Sequence, residues 1–358
     1  MSLVRLDIYT LRNIQKISIE PSSTLNLIYG DNGSGKSSFI EAIHILGRAK
    51  SYRSNSIKSV IKFNEKHLIV TAQINHFNRG YLHLGVQLNF KQTRCKINHQ
   101  ETKKRSDLAY ALPLQIIHPK SYELLDAGPH LRREFIDWGV FHDNEAFLQN
   151  YSNFKMALLQ RNALLKSKNI KHINVWNKEF TYYGTIVNNY RYVYVQKLKP
   201  IFLDILNYFL KFNDINLNLF PGWDSSIELD KILNLNLDKD LRFGFTQFGP
   251  HRTDFLLTVD SRLVKDVVSR GQLKLIVFCL KLAQMQLLLN ENINQGCFLI
   301  DDFSAELDIV NREKLLIFLS KMNCQVFITT TEVSEFGNLN IINNYKMFHV
   351  EHGNIKSL

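Results

Sequence analysis

The segment "GDNGSGKS", residues 30–37, carries the strongest structural signal in the chain. It matches the pattern G-x-x-x-x-G-K-[S/T], follows the apolar run "LNLIY" and opens "KSSFIEAIHILG", whose apolar residues recur at helical spacing. Gly30, Gly33 and Gly35 allow backbone conformations closed to larger residues, so successive N–H groups can point at phosphate oxygens. The segment therefore predicts a strand, a phosphate loop and a helix that together bind a nucleoside triphosphate.

Within this loop, the side chains divide the work of binding. Lys36 is expected to reach the β- and γ-phosphates, and the Ser37 hydroxyl is expected to ligate Mg²⁺. The N-terminus of the following helix adds a partial positive charge. The predicted nucleotide contacts in this segment are Gly30, Asp31, Asn32, Gly33, Ser34, Gly35, Lys36 and Ser37.

A second motif, "CFLIDD" at residues 297–302, places two carboxylates at the end of an apolar strand. Asp301 is predicted to help hold the Mg²⁺ shell, and Asp302 to polarise the attacking water. A two-metal nuclease pair is the alternative, although neighbouring strand residues point to opposite faces and do not easily share a metal. The candidate catalytic residues are Asp301, Asp302 and Lys36, and the candidate Mg²⁺ ligands are Ser37 and Asp301.

The segment "SRGQLKL", residues 269–275, opens a long apolar helical run far from the phosphate loop. Ser269 and the backbone N–H groups of Arg270 and Gly271 can form a second anion site at a helix start. If that site belongs to another copy of the chain, the nucleotide joins two subunits. An ordinary N-cap with a buried helix behind it explains the same residues equally well.

Composition points to a polyanionic partner. Lys and Arg outnumber Asp and Glu by 44 to 33 in 358 residues, for a net charge of +11, so nucleic acid is a natural partner. The first ten residues lack a signal-peptide pattern, and Lys interrupts the apolar runs, so we expect a cytosolic protein without a membrane span. The four cysteines lie far apart without a CxxC pair, which predicts buried apolar residues rather than a metal or disulfide site.

The pattern along the chain predicts an α/β fold interrupted by a helical insertion. Strand and helix signals alternate at both ends, with a small antiparallel region at 67–98, whereas 118–212 has the three-to-four spacing of long helices. We therefore expect one ATPase lobe, with a mixed or parallel sheet, from residues 1–117 and 240–358, and a mainly helical second lobe from residues 118–239.

The combination of motifs resembles one family closely. "GDNGSGKS", "SRGQLKL" and "LIDDFSAELD" occur in the order found in ABC-type ATPases, and "SAELD" is similar to their D-loop. The segments "VRLDIYTLRNI" (4–14), "PKSYELLDAGPHLRREFIDW" (119–138) and "QFGPHRTDF" (247–255) resemble the RecF family within the SMC- and Rad50-like ATPases. Lys120 departs from the acidic residue usual after that Pro, and Thr330 stands near the switch His of many ABC ATPases.

The resemblance implies an ABC-type head that homodimerises on Mg²⁺-ATP, hydrolyses ATP slowly and binds single- and double-stranded DNA at gaps or junctions. It also implies work with RecO and RecR to load RecA in DNA repair, replication and the SOS response. By likeness, Ser269, Arg270, Gly271 and Gln272 would meet the partner's γ-phosphate, and Asp308 would be a D-loop carboxylate across the dimer. The alternatives are the ATPase subunit of a membrane transporter, for which Arg270 replaces an expected Gly, and a DNA nuclease.

Several further groups have both a functional and a structural interpretation. Arg132 and Arg133 can contact phosphate, or can pair with Glu134 and Asp137. An aromatic helical face can stack on bases or pack in the core. That aromatic face consists of Tyr190, Tyr194 and Lys197. The other two groups are the pair His251 and Arg252 and the loop cluster Lys103, Lys104 and Arg105.

Overall fold

The computed structural model describes residues 2–76, 80–212, 214–290, 296–306 and 308–358. The chain forms two compact units, the first from residues 1–121 and 274–358 and the second from residues 122–273. Residues 240–273 thus fall in the second unit rather than with the predicted ATPase lobe. The reason is strand pairing, since Asp254–Val259 pairs with Ile215–Phe220 and ties this stretch to the helical segment.

The described strands are β1 Ser2–Leu11, β2 Ile14–Ile19, β3 Leu25–Tyr29, β4 His67–His76, β5 Gly80–Asn89, β6 Thr93–Ile97, β7 Gln100–Thr102, β8 Leu114–Ile117, β9 Ile215–Phe220, β10 Asp254–Val259, β11 Arg262–Leu263, β12 Cys297–Ile300, β13 Gln325–Thr330, β14 Tyr345–Glu351 and β15 Asn354–Ser357. The helices are α1 Lys36–Arg48, α2 Ile57–Val60, α3 Arg105–Ala111, α4 Glu123–Asp126, α5 Pro129–Asp143, α6 Phe147–Ser167, α7 Ile173–Phe209, α8 Leu229–Leu235, α9 Leu237–Phe243, α10 Val264–Val267, α11 Arg270–Leu288, α12 Phe303–Glu306 and α13 Ile309–Lys321. Short 3-10 turns occupy Pro250–Arg252, Val333–Phe336 and Leu339–Ile341.

Two sheets build the first unit. One has the order β15-β14-β3-β13-β12-β8, in which only the β14–β15 pair is antiparallel. All residues of β12 and β13 are buried, as expected for parallel strands covered on both faces. The other sheet, β2-β1-β4-β5-β6-β7, is antiparallel throughout, and in β4 and β5 buried residues alternate with half-buried or exposed ones.

Helix α1 joins the cores of these two sheets. Its apolar side chains, including Phe39, Ile43 and Leu46, are fully buried in a cluster shared with both sheets. Burying each such side chain, rather than leaving it exposed, stabilises the fold by about 1.5–3 kcal/mol. The start of α1 is therefore held rigidly, which fixes the loop that precedes it.

The second unit is mainly helical, with α5, α6 and α7 packed together and a small antiparallel sheet of order β11-β10-β9. Arg161 is fully buried and pairs with Asp240 at 2.8 Å. Arg191 pairs with Asp137 at 2.7 Å and donates to the Pro250 carbonyl at 2.6 Å. These partners satisfy buried charges that would otherwise destabilise the helical core.

Helix α11 is the one described helix whose length and apolar composition would allow it to cross a membrane. In the most apolar 18-residue window of this helix, 72% of the residues are buried within the protein. This is the burial of a core helix.

Candidate functional site

The mixed sheet gathers the predicted nucleotide-binding residues at one edge. Strands β3, β13, β12 and β8 run parallel, and Tyr29, Thr330, Ile300 and Ile117 lie at their carboxyl ends. The phosphate loop follows β3 and Asp301 follows β12, with β13 between them. In open α/β sheets this edge is the usual ligand site.

The backbone of the phosphate loop needs its glycines. Gly30, Gly33 and Gly35 have φ angles of 150°, 80° and 125°, all in the region that disfavours larger residues. A Cβ atom at Gly30 would also lie 2.1 Å from the carbonyl oxygen of Val350. Any larger residue at position 30 would therefore displace the loop from β14.

Asn13 fastens the phosphate loop from outside, although sequence reasoning assigned it no role. Its Nδ2 donates to the Ser34 carbonyl at 2.9 Å, and its Oδ1 accepts from the Ser38 hydroxyl at 3.2 Å. The amide of Gly353 donates to the same Ser34 carbonyl at 2.7 Å. The segment 4–14 carried only a family resemblance, because this tie depends on tertiary contact.

Lys36 is buried at the start of α1, where its Nζ donates to the carbonyl oxygens of Gly30 at 2.6 Å and Asp31 at 2.9 Å. Burial lowers the pKa of Lys36, and the nearby carboxylates of Asp302 and Asp301 oppose that shift. The structure therefore brings Lys36 and both predicted acids into one electrostatic neighbourhood. A cation here can attract phosphate oxygens.

Asp301 is held by a hydroxyl on each carboxylate oxygen. Its side chain is 5% exposed; Oδ1 accepts from the Thr329 hydroxyl at 3.0 Å and Oδ2 from the Tyr52 hydroxyl at 2.6 Å. Thr329 in turn accepts from the Asp302 amide at 2.9 Å. Asp302 is half-buried and adopts φ 61°, so the chain turns sharply directly after β12.

Tyr52 is a site residue that the sequence did not reveal. Burial and the Asp301 carboxylate raise the pKa of its hydroxyl well above 10. Its ring lies 5.4 Å from that of His44 and 5.3 Å from that of His118. Burial lowers the pKa of His44 to about 3 and that of His118 to about 4, so both rings are neutral at pH 7.

Thr330, which the sequence places near the switch His of many ABC ATPases, is fully buried and donates its hydroxyl to Glu335. Glu335 also accepts from the amide of Thr331 at 3.0 Å and from its hydroxyl at 2.7 Å. Burial alone would raise the pKa of Glu335, but these hydrogen bonds lower it to about 2. Glu335 therefore holds the end of β13 beside the phosphate loop, whose Gly30 amide donates to the Thr331 carbonyl at 3.2 Å.

The predicted second anion site is an exposed helix start. Ser269 Oγ accepts from the Gln272 amide at 3.3 Å, and the Ser269 amide donates to Gln272 Oε1 at 2.9 Å, which is a reciprocal capping box. Arg270 stacks its guanidinium 4.7 Å from the centre of the Tyr122 ring. A Cβ atom at Gly271 would meet nothing within 4 Å. Residues 269–272 are exposed, so this helix start is accessible.

Asp308 is the N-cap of α13, where its carboxylate accepts from the Asn311 amide at 2.8 Å. It is exposed, as are the two apolar residues that follow, Ile309 and Val310. In the predicted D-loop "SAELD", Leu307 lies outside the described residues. The proposed role of Asp308 across a dimer remains a prediction.

The residues of this sheet edge fit a magnesium–triphosphate group. Ser34 Oγ is buried without a hydrogen-bond partner in the described part of the chain. The loop tip at 31–33 is exposed, and Ser37 is half-buried in the first turn of α1. One lysine, one hydroxyl and two carboxylates at the end of parallel strands form the donor set that Mg²⁺ and phosphate oxygens require.

The two arginines after Gly128 have a structural role, but with partners other than those expected. Arg132 pairs with Asp254 through two hydrogen bonds of 2.6 and 3.0 Å, and Arg133 donates to the Thr253 carbonyl at 2.9 Å. Helical spacing predicts that these arginines pair with Glu134 and Asp137. For Asp137 this prediction is wrong, because its ion-pair partner is Arg191. Tertiary neighbours outcompete the i,i+4 pair because Asp137 faces the buried Arg191.

The remaining candidates also have structural contacts. Tyr194 is 2% exposed and packs against Gly139, Lys197 pairs with Asp143 at 2.8 Å, and His251 bonds the Thr246 carbonyl at 2.9 Å. Base stacking by Tyr194 is therefore excluded by its burial. Lys103, Lys104 and Arg105 are exposed, as predicted.

The cysteines behave as predicted from their spacing. Cys95, Cys279, Cys297 and Cys324 are free and buried, and burial raises the pKa of each thiol. Among the described residues, no group of three or more His, Cys, Asp or Glu side chains could hold a metal ion. A preformed two-metal nuclease site has no support within that part of the chain.

Comparison with known proteins gives a consistent result. The RecF/RecN/SMC N terminal domain family matches residues 2–356. "DNA replication and repair protein RecF" of Stutzerimonas stutzeri (strain A1501) is 38% identical over all of this chain and 98% of its own length. The protein of that name from Shewanella denitrificans (strain OS217 / ATCC BAA-1090 / DSM 15013) is 40% identical over 99% of each chain.

Solved structures agree on the fold. The recombination mediator protein RecF-ATP in the RecFOR pathway has a TM-score of 0.86 and 24% identity, covering all of this chain and 97% of that one. The Smc head domain from Pyrococcus furiosus, bound to the C-terminal domain of ScpA, has a TM-score of 0.60 and 15% identity, covering 100% and 96% of the two chains. The predicted ABC-type ATPase head fold is confirmed, and none of these names supports the transporter or nuclease alternative. The chain belongs to the RecF family of DNA replication and repair proteins.

Proposed function

We propose that this protein is an ATP-dependent DNA-binding switch of replication and recombinational repair. It binds Mg²⁺-ATP between two copies of the chain, engages single- and double-stranded DNA at gaps or junctions, and hydrolyses ATP slowly to release. One observation carries the proposal: the sheet edge gathers Lys36, Asp301 and Asp302 behind a glycine-dependent phosphate loop. Family membership supports the cellular context, in which the protein acts in the cytoplasm and helps RecO and RecR to load RecA.

The phosphate loop, from Gly30 to Ser37, holds the triphosphate. Backbone amides of the loop and the first turn of α1 bond the phosphate oxygens, and Lys36 exchanges its carbonyl partners for the β- and γ-phosphates. Ser37 and Asp301 would hold a magnesium ion. When bound there, the cation would supply positive charge against that of the phosphates.

Asp302 serves as the residue that orients the attacking water. Its backbone turns sharply after β12, and its amide donates to the Thr329 hydroxyl at 2.9 Å, which holds the residue in place. A short aspartate in place of a longer glutamate reaches less far, which supports slow hydrolysis. This rate suits a switch, because the ATP-bound state then persists.

The second copy contributes the helix start at Ser269, Arg270, Gly271 and Gln272, which meets the γ-phosphate, and Asp308, which lies across the dimer. Support comes from Gly271. It is exposed with open space around its missing Cβ, so the chain's own fold gives no reason for glycine. A close-approaching partner gives one, since glycine allows backbone contact with a ligand.

DNA binding follows from the excess of basic residues, which gives a net charge of +11. A polyanion releases its counterions when lysines and arginines neutralise its phosphates. Joining two heads doubles the basic surface offered to one DNA molecule, so ATP and DNA strengthen each other's binding.

Sedimentation of the purified chain with and without Mg²⁺-ATP tests the proposal. Wild type should dimerise with ATP, whereas Lys36→Met should stay monomeric because the phosphates lose their cation. Ser269→Arg should bind nucleotide as a monomer but fail to pair. Normal dimerisation of Lys36→Met would refute the sandwich, and loss of monomer binding in Ser269→Arg would place that residue on its own chain's nucleotide.

DNA affinity measured against salt, on gapped and blunt duplexes with and without ATP, tests the second half. Affinity should fall steeply with salt and should rise with ATP on gapped DNA. Equal affinity with and without ATP would separate nucleotide binding from DNA binding and refute the switch.

A further inference from the structure

Tyr52 makes a contact with the nucleotide site that its sequence position does not suggest. Its hydroxyl donates to Oδ2 of Asp301 at 2.6 Å, while Thr329 donates to Oδ1 of the same carboxylate at 3.0 Å. We propose that Tyr52 is a positioning residue, which orients the Asp301 carboxylate toward magnesium. The proposal rests on the proposed function, because it assumes that Asp301 serves a Mg²⁺-nucleotide complex.

The carboxylate needs two donors to hold one orientation. The terminal torsion of an aspartate is soft and roughly two-fold, so a single hydrogen bond leaves it free to swing. Thr329 accepts from the Asp302 amide at 2.9 Å, and this leaves its own proton to point at Asp301. Tyr52 supplies the second fixed point, on the other oxygen.

Lys36 makes this restraint necessary. Asp301 is among the carboxylates whose charge acts on the Lys36 ammonium. Without the Tyr52 hydroxyl, this attraction would turn the carboxylate toward Lys36. The Asp301 carboxylate and the Lys36 ammonium would then interact with each other and would be less available to a metal–phosphate complex.

Ring contacts and a neighbouring hydrogen bond hold the Tyr52 side chain in one position. Its ring contacts those of His44 in α1 and His118 after β8, with centroid distances of 5.4 and 5.3 Å. The preceding Ser51 donates its hydroxyl to the fully buried Glu41, also on α1. The phenol is therefore anchored on the same helix that begins with Lys36.

The packing of the ring and the contact of the hydroxyl can be separated. The ring of Tyr52 packs against the buried apolar cluster of the first unit, and phenylalanine would keep that packing. Tyr52→Phe removes only the oxygen bonded to Asp301. This substitution therefore tests orientation of the carboxylate and leaves the core intact.

The experiment titrates a fluorescent ATP analogue, MANT-ATP, into the full chain, first with EDTA and then over a range of Mg²⁺ concentrations. Tyr52→Phe should raise about tenfold the Mg²⁺ concentration that gives half of the maximal gain in MANT-ATP affinity. The reason is the loss of one hydrogen bond to a charged group. Its affinity in EDTA should match that of wild type. Tyr151→Phe is the matched control, because Tyr151 is a half-buried tyrosine in the second unit whose hydroxyl is influenced by a nearby carboxylate, that of Asp137.

The outcomes separate positioning from general structure. A Mg²⁺ dependence that is unchanged, or tighter, in Tyr52→Phe would refute positioning. An equal loss of affinity in EDTA and in Mg²⁺, or a loss shared by Tyr151→Phe, would show a structural effect and also refute it. If wild type bound no MANT-ATP in Mg²⁺, the proposed function itself would fail, and the inference with it.

Discussion

Gly271→Ala should raise the folding stability of the isolated chain and lower the affinity of its proposed ATP-dependent dimer. Gly271 lies in the first turn of α11, and an added Cβ atom would meet nothing within 4 Å. Alanine in place of an interior helical glycine stabilises by about 0.5–1 kcal/mol, and a first-turn position should give the lower figure. That corresponds to a Tm increase of about 1–2 °C.

The same methyl group would stand at the surface where the proposed partner's γ-phosphate docks. Inserting a methyl into a packed contact costs about 1–3 kcal/mol, which weakens dimerisation by about 5- to 150-fold. Differential scanning fluorimetry measures the first effect, and sedimentation velocity with Mg²⁺-ATP measures the second. Opposite signs in the two assays are the expected result.

Gly85→Ala is the matched control. Gly85 lies in the antiparallel sheet, and its added Cβ would meet Thr71 Cγ2 at 3.5 Å, an ordinary contact. This variant should dimerise like wild type. If Gly271→Ala dimerised equally well, the glycine would not be kept for a partner. If it unfolded at a lower temperature than wild type, the space inferred around Gly271 would be wrong.

Three other perturbations test different parts of the structure. Arg132→Gln breaks the bidentate pair with Asp254 and should destabilise by about 1–3 kcal/mol in urea unfolding; the salt slope of DNA affinity should stay constant, whereas losing a phosphate contact would reduce it by about 1. Gly139→Ala places a Cβ atom 2.1 Å from Tyr194 Cζ and should lower the free energy of unfolding by about 1–3 kcal/mol. Unchanged stability would contradict the tight packing of this ring. Burial lowers the pKa of His251 to about 4, so the folded chain binds fewer protons than the unfolded chain. The contribution of neutral His251 to the free energy of unfolding, about 1.4 kcal/mol per unit of pKa difference, is present above pH 6.5 and lost as the pH falls through 4. In His251→Asn, Tm should therefore change less with pH over this range.

Local sequence carried enough information for the parts of the site that lie on contiguous segments. The phosphate loop, the strand before Asp301 and the helix after Ser269 each have a pattern read within about fifteen residues, and the structure has strand, loop and helix in those places. Their nucleotide-binding roles stay predictions. The motif patterns work because backbone conformation, not distant packing, sets these segments.

Residues that support the site from elsewhere in the chain could not be predicted. Tyr52 reaches Asp301 across 249 positions, and Asn13 reaches Ser34 across 21. No period or spacing encodes such contacts, because they arise only when α1 and the sheets pack together. For the same reason the predicted pairing of Asp137 on its own helix is wrong, because Asp137 bonds Arg191, 54 positions away.

The two interpretations of Ser269 are compatible, because a serine hydroxyl has one donor and two acceptor positions. The capping box uses Ser269 Oγ as an acceptor for the Gln272 amide, and it occupies the Ser269 amide with Gln272 Oε1. The hydroxyl proton is not used by that bond, so it can be donated to a phosphate oxygen. An anion at this helix start would then draw on the amides of Arg270 and Gly271 and on the Ser269 proton. The cap fixes the position of the hydroxyl oxygen before any partner arrives, so the stabilising and the binding roles depend on the same geometry.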